Sequence, residues 1–239
     1  MATKTNEEMG RQVRAHLISL GLETEGKQSN GMPVSPTGAH DRLRQGIQGF
    51  LEHMGQLPNP SRDTTPQRVA DMFVNDLCWG LDYTKFPKCT TTPNGVLKPR
   101  PPQGGPPYAD TIVGAYDEMV AVDRIQTISL CEHHFQTIYG YTYIAYIPGP
   151  EVLGLSKFAR VTEFFARRPQ IQERMTQQIY AALAFILKTE DIAVVQNCEH
   201  FCMKARGAMQ ANASTRTNKM GGRFMSNPAL RAEFLGGIK

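Results

Sequence analysis

The stretch Ser129–Pro148, SLCEHHFQTIYGYTYIAYIP, combines a strand-forming composition with a group of chemically active side chains. Its second half, within Thr137–Ile147, is rich in β-branched and aromatic residues, as is the preceding Met119–Leu130. This composition predicts two strands that pair with each other. The connection between them, Cys131–His134, places a thiol, a carboxylate and two imidazoles in four consecutive positions. The sequence therefore predicts a strand pair with chemically active side chains at its connection.

The residues that follow predict helices and then two more strands. A helix is expected over Val161–Arg168, and a second begins near Pro169 and continues to Lys188. Apolar residues recur there at three- and four-residue steps, as on a buried helix face: Ile171, Met175, Ile179, Leu183 and Ile186. Further strands are expected at Asp191–Lys204 and Ala213–Phe224. The order strand, strand, helix, helix, strand, strand predicts an α+β domain with an antiparallel sheet covered on one face by helices.

The N-terminal half reads as an appendage followed by a helical region. A short helix is expected around Glu7–Leu20, before a polar stretch rich in glycine and proline. Asp63-Thr64-Thr65-Pro66 is typical of a helix start. The proline and glycine content after residue 90 predicts an exposed loop without regular structure. The expected organisation is a flexible or partly helical N-terminal extension over 1–41 and a folded domain over 42–239, divided into a helical part (42–90), the loop (91–109) and the core (110–239).

Composition excludes several classes of protein. The chain of 239 residues is 41% hydrophobic and 20% charged, with a formal net charge of +4, which is an ordinary globular balance. Such mild charge does not by itself argue for a nucleic-acid or membrane partner, and no apolar run approaches the roughly 18 residues that cross a bilayer. Five cysteines, an odd number, in a chain without a secretory signal argue against a disulfide framework. A cytoplasmic protein with reduced thiols and no membrane partner is therefore expected.

Two short motifs predict a metal site. Zinc favours thiolate and imidazole ligands, and these occur in Cys131–His134 and again in His200-Phe201-Cys202. Cys131, His134 and Cys202 are assigned as ligands, which leaves a fourth position for water, as in catalytic zinc sites. His133 and His200 then lie near the metal but unbound, where they can act as general acid and base. Strand alternation would put Cys131 and His134 on opposite faces, so the chain must bend between them.

Two alternatives stay open at this point. Cys198 lies four residues before Cys202, on the same side of a predicted strand, and as a fourth ligand it would make the site structural. The segment 204–223 carries five basic and no acidic residues. It is either a solvated basic edge or a site for phosphate. The basic residues are Lys204, Arg206, Arg216, Lys219 and Arg223.

Several runs together resemble the GTP cyclohydrolase I family, whose members catalyse the first step of pterin and folate synthesis. They are SLCEHHFQTIYGYTYIAYIP, GLSKFARV, RRPQIQERMTQQI, HFCMKARG and STRTNKMGGRF, with TPQRVADMFVNDLCWGLDY and DEMV earlier in the chain. The resemblance covers roughly residues 43–239. It implies the tunnelling fold, an α+β architecture in which an antiparallel four-stranded sheet carries two helices on one face and is preceded by N-terminal helices. It also implies a homodecamer of two pentamers with active sites between subunits, so that no monomer is competent.

The resemblance also implies roles for individual residues. Zinc would be held by Cys131, His134 and Cys202, which makes Cys198 a bystander, and the catalytic histidines would be His133 and His200. Triphosphate-binding residues would be Ser156, Lys157, Arg160, Arg206 and Arg68. Arginine and lysine suit this role because they form charge-assisted hydrogen bonds with phosphate. Guanine would be recognised by Glu173 beside Gln172, although a glutamate in the first turn of a helix is also favourable by itself.

The implied reaction is hydrolysis of GTP to 7,8-dihydroneopterin triphosphate and formate by zinc-assisted opening of the imidazole ring of guanine. One competing class is the nitrile reductases of the same fold, which use NADPH and lack this zinc set. Zinc-dependent base deaminases need a downstream Pro-Cys-x-x-Cys motif that is absent from this sequence. A structural zinc module that binds a partner is the non-enzyme alternative. The long loop 91–109 and Asp71, where some members carry lysine, depart from the family pattern.

Overall fold

The computed structural model describes residues 5–24, 36–95 and 115–238. Most of the loop predicted at 91–109 lies outside the described residues. Within them, no helix is long and apolar enough to cross a membrane. The helices are α1 Glu7–Ser19, α2 Pro36–His53, α3 Thr65–Asp71, α4 Ser156–Ala166, α5 Gln172–Leu187, α6 Phe201–Lys204, α7 Gly222–Ser226 and α8 Pro228–Gly237. The strands are β1 Thr91–Pro93, β2 Val120–Cys131, β3 Thr137–Tyr146, β4 Glu151–Leu153, β5 Pro169–Gln170, β6 Ile192–His200 and β7 Thr215–Met220.

The main sheet confirms the predicted order of elements and the mixed α+β architecture. Strands β2, β3, β6 and β7 pair antiparallel in that order. The sequence predicted four strands, but a fifth, β5, pairs parallel with the end of β2 through Leu130–Pro169 and Cys131–Gln170. Pro169 therefore belongs to a strand, and the helix that it was expected to begin starts at Gln172.

The strand ends also differ from prediction at two places. The predicted strand Asp191–Lys204 ends at His200 because the chain turns into α6, and this moves Cys202 from a strand to a helical turn. The predicted strand Ala213–Phe224 ends at Met220, after which the backbone enters α7. In addition, Thr91–Pro93 pairs with β4, so the predicted loop begins with a short strand rather than with irregular backbone.

The sheet buries both of its faces, at least in part. One face packs on α4 and α5 around fully buried side chains such as Phe158, Phe164, Met175 and Ile179. This is the helical layer that the periodicity predicted. On the opposite face, α7 and α8 cover one end of the sheet through a smaller cluster of apolar residues. The sequence did not predict this second cover.

The described N-terminal residues, 5–24, contribute side chains to the main core. The predicted helix is present as α1, and its Val13 and Leu17 are fully buried in the main core. Glu23 forms an ion pair at 2.7 Å with Arg168, whose side chain is 4% exposed. Tyr83 donates a hydrogen bond to the same carboxylate at 2.8 Å. These contacts join the start of the chain to the core, which the polar composition of residues 1–41 did not indicate.

Candidate metal centre and active site

The bend between Cys131 and His134 is present. Cys131 is the last residue of β2, and Glu132, His133 and His134 form a turn. The turn is closed by the Phe135 amide, which donates to the Cys131 carbonyl at 2.8 Å. Phe135 has a φ of 53°, a left-handed conformation that is uncommon for a bulky side chain. The backbone therefore leaves its strand in the way that a shared metal requires.

Cys131, His134 and Cys202 converge. One ligand atom from each lies within 4.8 Å of the others. Around a tetrahedral zinc ion, with bonds of about 2.0–2.3 Å, neighbouring ligand atoms would be about 3.5–3.8 Å apart. The observed separation is therefore close to what a bound ion needs. The three donors are two sulfurs and one imidazole nitrogen, which is chemistry suited to a thiophilic metal.

The Cys202 thiol lies close enough to the Cys131 thiol to be perturbed by it. Burial, followed by the neighbouring Cys131 thiol, raises the pKa of Cys202. A bound cation would relieve the repulsion between two thiolates, so the donor set fits a metal ion. Cys198 is not part of the group. Its side chain is 1% exposed, and burial raises its pKa to about 12, which disfavours the thiolate that binds metal. All five cysteines are free.

The two predicted catalytic histidines both lie beside the metal group, in different surroundings. His133 is exposed, and its Nδ1 lies 3.9 Å from the Cys131 sulfur. His200 ends β6 and is half-buried, and its Nε2 lies 2.8 Å from Oε1 of Gln172. Burial lowers the pKa of His200, while Glu173 acts in the opposite direction. His200 is therefore held in its neutral form.

Gln172 fixes the tautomer of His200. The Gln172 side chain is 1% exposed, and its Nε2 donates to the carbonyl oxygens of Thr215 at 2.9 Å and Gln196 at 3.3 Å. Carbonyl oxygens only accept, so the amide cannot be flipped and its Oε1 faces His200. His200 must then donate through Nε2, and its Nδ1 remains available to accept a proton.

Of the predicted substrate contacts, Glu173 and Arg206 lie at this site. Glu173 is exposed in the first turn of α5, near enough to His200 to affect its pKa. Nη1 of Arg206 lies 3.0 Å from Nε2 of His134. Three other members of the basic segment 204–223 have partners within the chain. Lys204 pairs with Glu199, Lys219 lies over the Tyr180 ring, and Arg223 pairs with Asp191.

The other predicted phosphate contacts form a separate group at the start of α4. Ser156 is exposed, and Lys157 and Arg160 are partly exposed. The charges of Lys157 and Arg160 lower the pKa of Cys89, although its burial raises that pKa to about 11 overall. Arg160 also lines two open cavities, of about 300 and 360 Å³. Within one chain, the charges of Lys157 and Arg160 act on Cys89, whereas the cation that contacts the metal group is Arg206.

Arg68 lies exposed on α3. The same helical run continues to Phe73, whose ring is 5.9 Å from that of Phe135 beside the metal turn. Asp71, the departure from the family pattern, accepts hydrogen bonds from Gln67 and from Nε2 of His40, the latter at 3.0 Å. These bonds lower the pKa of Asp71. Asp71 therefore ties α3 to α2.

From the sequence, Glu132 had no expected role beyond orienting a neighbouring residue, and Arg174 was not among the predicted site residues. In the structure these two side chains form an ion pair, and Gln170 contacts Arg174 as well. The only available signal was the proximity of Glu132 to the predicted ligands. The partner lies 42 residues away and could not be inferred from spacing.

Fold and site together define a mixed α+β protein with a thiolate and imidazole metal group beside a tautomer-fixed histidine. The family model described as GTP cyclohydrolase I matches residues 43–239. GTP cyclohydrolase 1 of Aeromonas salmonicida (strain A449) is 41% identical over 228 residues, covering 94% of this chain and 96% of that protein. The corresponding proteins of Vibrio cholerae serotype O1 (40%, covering 94% and 97%) and Aliivibrio fischeri (strain MJ11; 42%, covering 95% of each) are similarly close.

The chain therefore belongs to the GTP cyclohydrolase I family, which is a family of hydrolases. Since 94% of the chain is aligned with the first of these relatives, the similarity extends into the N-terminal residues that precede the family match. This agrees with the burial of α1 in the core.

Proposed function

We propose that the protein hydrolyses GTP to 7,8-dihydroneopterin triphosphate and formate, on a tunnelling fold and with zinc as its metal. The observation that carries the proposal is the convergence of Cys131, His134 and Cys202 within 4.8 Å, in a chain of this family. Zinc bound with one coordination position open to water would act as a Lewis acid and would lower the pKa of that water.

His133 and His200 are proposed to move the protons of the reaction. Attack of water at C8 of the guanine imidazole ring requires a proton at N7, and cleavage of the C8–N9 bond, which opens the ring to a formamide, then requires a proton at N9. Nδ1 of His200 is suited to accept and return a proton because Gln172 occupies Nε2 and burial keeps the ring neutral. His133, which is exposed on the metal turn, would carry out the second of the two proton transfers.

The remaining residues are proposed to bind the two ends of the substrate. Glu173, with Gln172 beside it, would accept hydrogen bonds from the N1–H and the exocyclic amine of guanine. The triphosphate would be held by cations, since Arg and Lys form strong charge-assisted hydrogen bonds with phosphate oxygens. The proposed phosphate contacts are Ser156, Lys157, Arg160, Arg206 and Arg68.

We further propose a homodecamer of two pentamers with active sites between subunits. Two observations support assembly. In the described chain β5 pairs with only the last two residues of β2, and β7 is the outer strand of the sheet, so both edges offer backbone groups for pairing. In one chain Lys157 and Arg160 also lie beside Cys89, and a neighbouring subunit would bring such residues to a metal group.

A mixing experiment tests this shared site. The variants Cys202→Ala and Lys157→Ala should each be inactive alone, because each lacks one half of the site. After dissociation and reassembly together, some sites would combine an intact metal group with an intact α4. Mixed assemblies should therefore regain GTP turnover, and two inactive variants that both alter the metal group, Cys202→Ala and Cys131→Ala, should not. Failure of the first mixture to recover would place each site within one chain.

Turnover itself is tested by incubating the zinc-loaded protein with GTP, oxidising the product and recording pterin fluorescence. A fluorescent pterin is expected from the wild type and not from Cys202→Ala. Oxidation of NADPH in the presence of a deazaguanine nitrile would indicate the reductase alternative. Zinc binding without either reaction would indicate a structural module. The cytoplasmic location and the absence of nucleic-acid and membrane partners remain predictions.

A further inference from the structure

Glu132 fastens the metal turn to the neighbouring elements. Its carboxylate accepts a hydrogen bond from Nη2 of Arg174 on α5, and the two side chains are only 31% and 34% exposed. Its backbone amide donates to the Gln170 carbonyl of β5 at 3.0 Å. The turn is thus held through both its backbone and its side chain.

Arg174 is in turn oriented by β5. Its Nε donates to Oε1 of Gln170 at 3.1 Å, and its Nη2 also lies 3.4 Å from the Pro169 carbonyl. The planar guanidinium can serve these acceptors and Glu132 together because its donors are fixed in one plane. A lysine at this position would present a single flexible ammonium group and could not hold Gln170 and Glu132 in the same geometry.

A directed chain of hydrogen bonds sets the orientation of Gln170. Gln170 is fully buried, and its Nε2 donates to the Phe165 carbonyl and to Oε1 of Gln178, both at 2.8 Å. Nε2 of Gln178 donates to the Leu22 carbonyl at 2.7 Å. Backbone carbonyls only accept, so neither amide can be flipped without losing a buried partner. Oε1 of Gln170 is therefore committed to Arg174.

From this geometry we propose that Arg174 and Glu132 are positioning residues, which hold the metal turn and thereby fix the positions of Cys131 and His133. Cys131 and His133 flank Glu132, and their Sγ and Nδ1 atoms lie 3.9 Å apart. Outer contacts of this kind orient metal ligands and are worth about 10- to 100-fold in metal affinity or activity. The proposal rests on the proposed function, because it assigns His133 a part in turnover.

The test compares zinc release and turnover among matched variants. Zinc-loaded wild type, Arg174→Gln, Arg174→Lys and Glu132→Gln are mixed with excess chromogenic chelator, and the rate of zinc transfer is recorded. Arg174→Gln and Arg174→Lys should release zinc about 10-fold faster or more. Glu132→Gln should change the rate less, because its amide oxygen still accepts from Arg174. The double variant Arg174→Gln/Glu132→Gln should be no worse than Arg174→Gln, since Arg174→Gln has already removed the contact that Glu132 makes.

Steady-state kinetics with GTP separate positioning from general damage. Arg174→Gln should lower kcat while KM stays near the wild-type value, because the proposed phosphate and guanine contacts are unchanged. Arg223→Gln is the control, since it breaks an ion pair with Asp191 of comparable exposure, 48% and 26%, on α7, whereas the metal turn is held by α5 and β5. It should leave zinc release and kcat unchanged.

The proposal is overturned if Arg174→Gln releases zinc and turns over GTP like the wild type, or if Arg223→Gln causes the same losses. If Arg174→Gln does not fold, Glu132→Ala replaces it. Glu132→Ala should release zinc faster than Glu132→Gln. If both variants release zinc at the wild-type rate, the positioning role is rejected. A wild-type protein that binds zinc but does not convert GTP would refute the proposed function, while the zinc-release comparison would still decide the role of Arg174.

Discussion

Replacing Glu23 with glutamine measures how firmly the N-terminal residues belong to the folded domain. Glu23 and Arg168 form an ion pair at 2.7 Å with side chains only 18% and 4% exposed. The Arg168 guanidinium also packs over the Phe164 ring, 4.9 Å from its centroid. The change keeps the shape of the side chain and an acceptor oxygen but removes the charge that compensates a buried cation.

The expected loss follows from this burial. Removing one partner of a buried ion pair costs about 3–5 kcal/mol, because the other charge stays buried without compensation. Glutamine still accepts hydrogen bonds from Arg168 and Tyr83, so the lower end, about 3 kcal/mol, is expected. Tyr83→Phe removes one donor and leaves the ion pair intact, and it should cost about 1 kcal/mol.

Urea unfolding followed by tryptophan fluorescence is the assay. Trp79 is the sole tryptophan, and its ring lies 6.0 Å from that of Phe164, so it reports on the region around Arg168. All proteins are compared at one concentration, because assembly contributes to stability. Glu8→Gln, at an exposed ion pair with Arg11, is the control and should not change the free energy of unfolding. The reasoning is refuted if Glu23→Gln unfolds at the same urea concentration as this control.

Three further predictions concern the site. Cys202→Ala should lose bound zinc and formate release together, measured by metal analysis and formate assay, and survival of both would remove Cys202 from the metal group. His133→Ala should retain zinc while kcat collapses, and loss of zinc would instead make His133 a ligand. Burial lowers the pKa of His200 below its ordinary 6.5, so the unfolded chain binds the extra proton and stability is lost as pH falls below that value. Unfolding measured against pH should show this loss, and His200→Gln should reduce it; an unchanged profile would contradict the burial argument.

The strand pair and the metal motifs were predictable because their signals are local. The β-branched and aromatic composition of β2 and β3 and the ligand types of Cys131, His134 and Cys202 can be read directly from neighbouring residues. The conflict between strand alternation and a shared metal even predicted the bend after Cys131, which the turn confirms. The antiparallel order of the strands was enough to predict that the two distant motifs, Cys131–His134 and His200-Phe201-Cys202, lie close together.

The errors arise where a short element or a distant partner decides the structure. A two-residue strand such as β5 has no periodicity, so Pro169 was read as a helix start. The four-residue helix α6 follows a strand-like sequence, and the amino-acid composition therefore does not indicate the turn at Phe201. Glu23 meets Arg168 across 145 positions, which is why a polar segment was read as an appendage. Only tertiary packing could supply these contacts.

The fate of carbon C8 of GTP shows whether the protein opens the guanine ring and releases formate. GTP radiolabelled at C8 is incubated with the zinc-loaded, assembled protein, and formate and pterin are separated and quantified. Because ring opening and hydrolysis remove C8 from the base, the label should appear in formate in equal amount to the pterin formed, and Cys202→Ala should release none. Label that stays with the nucleotide in the zinc-loaded wild type would contradict the proposed reaction.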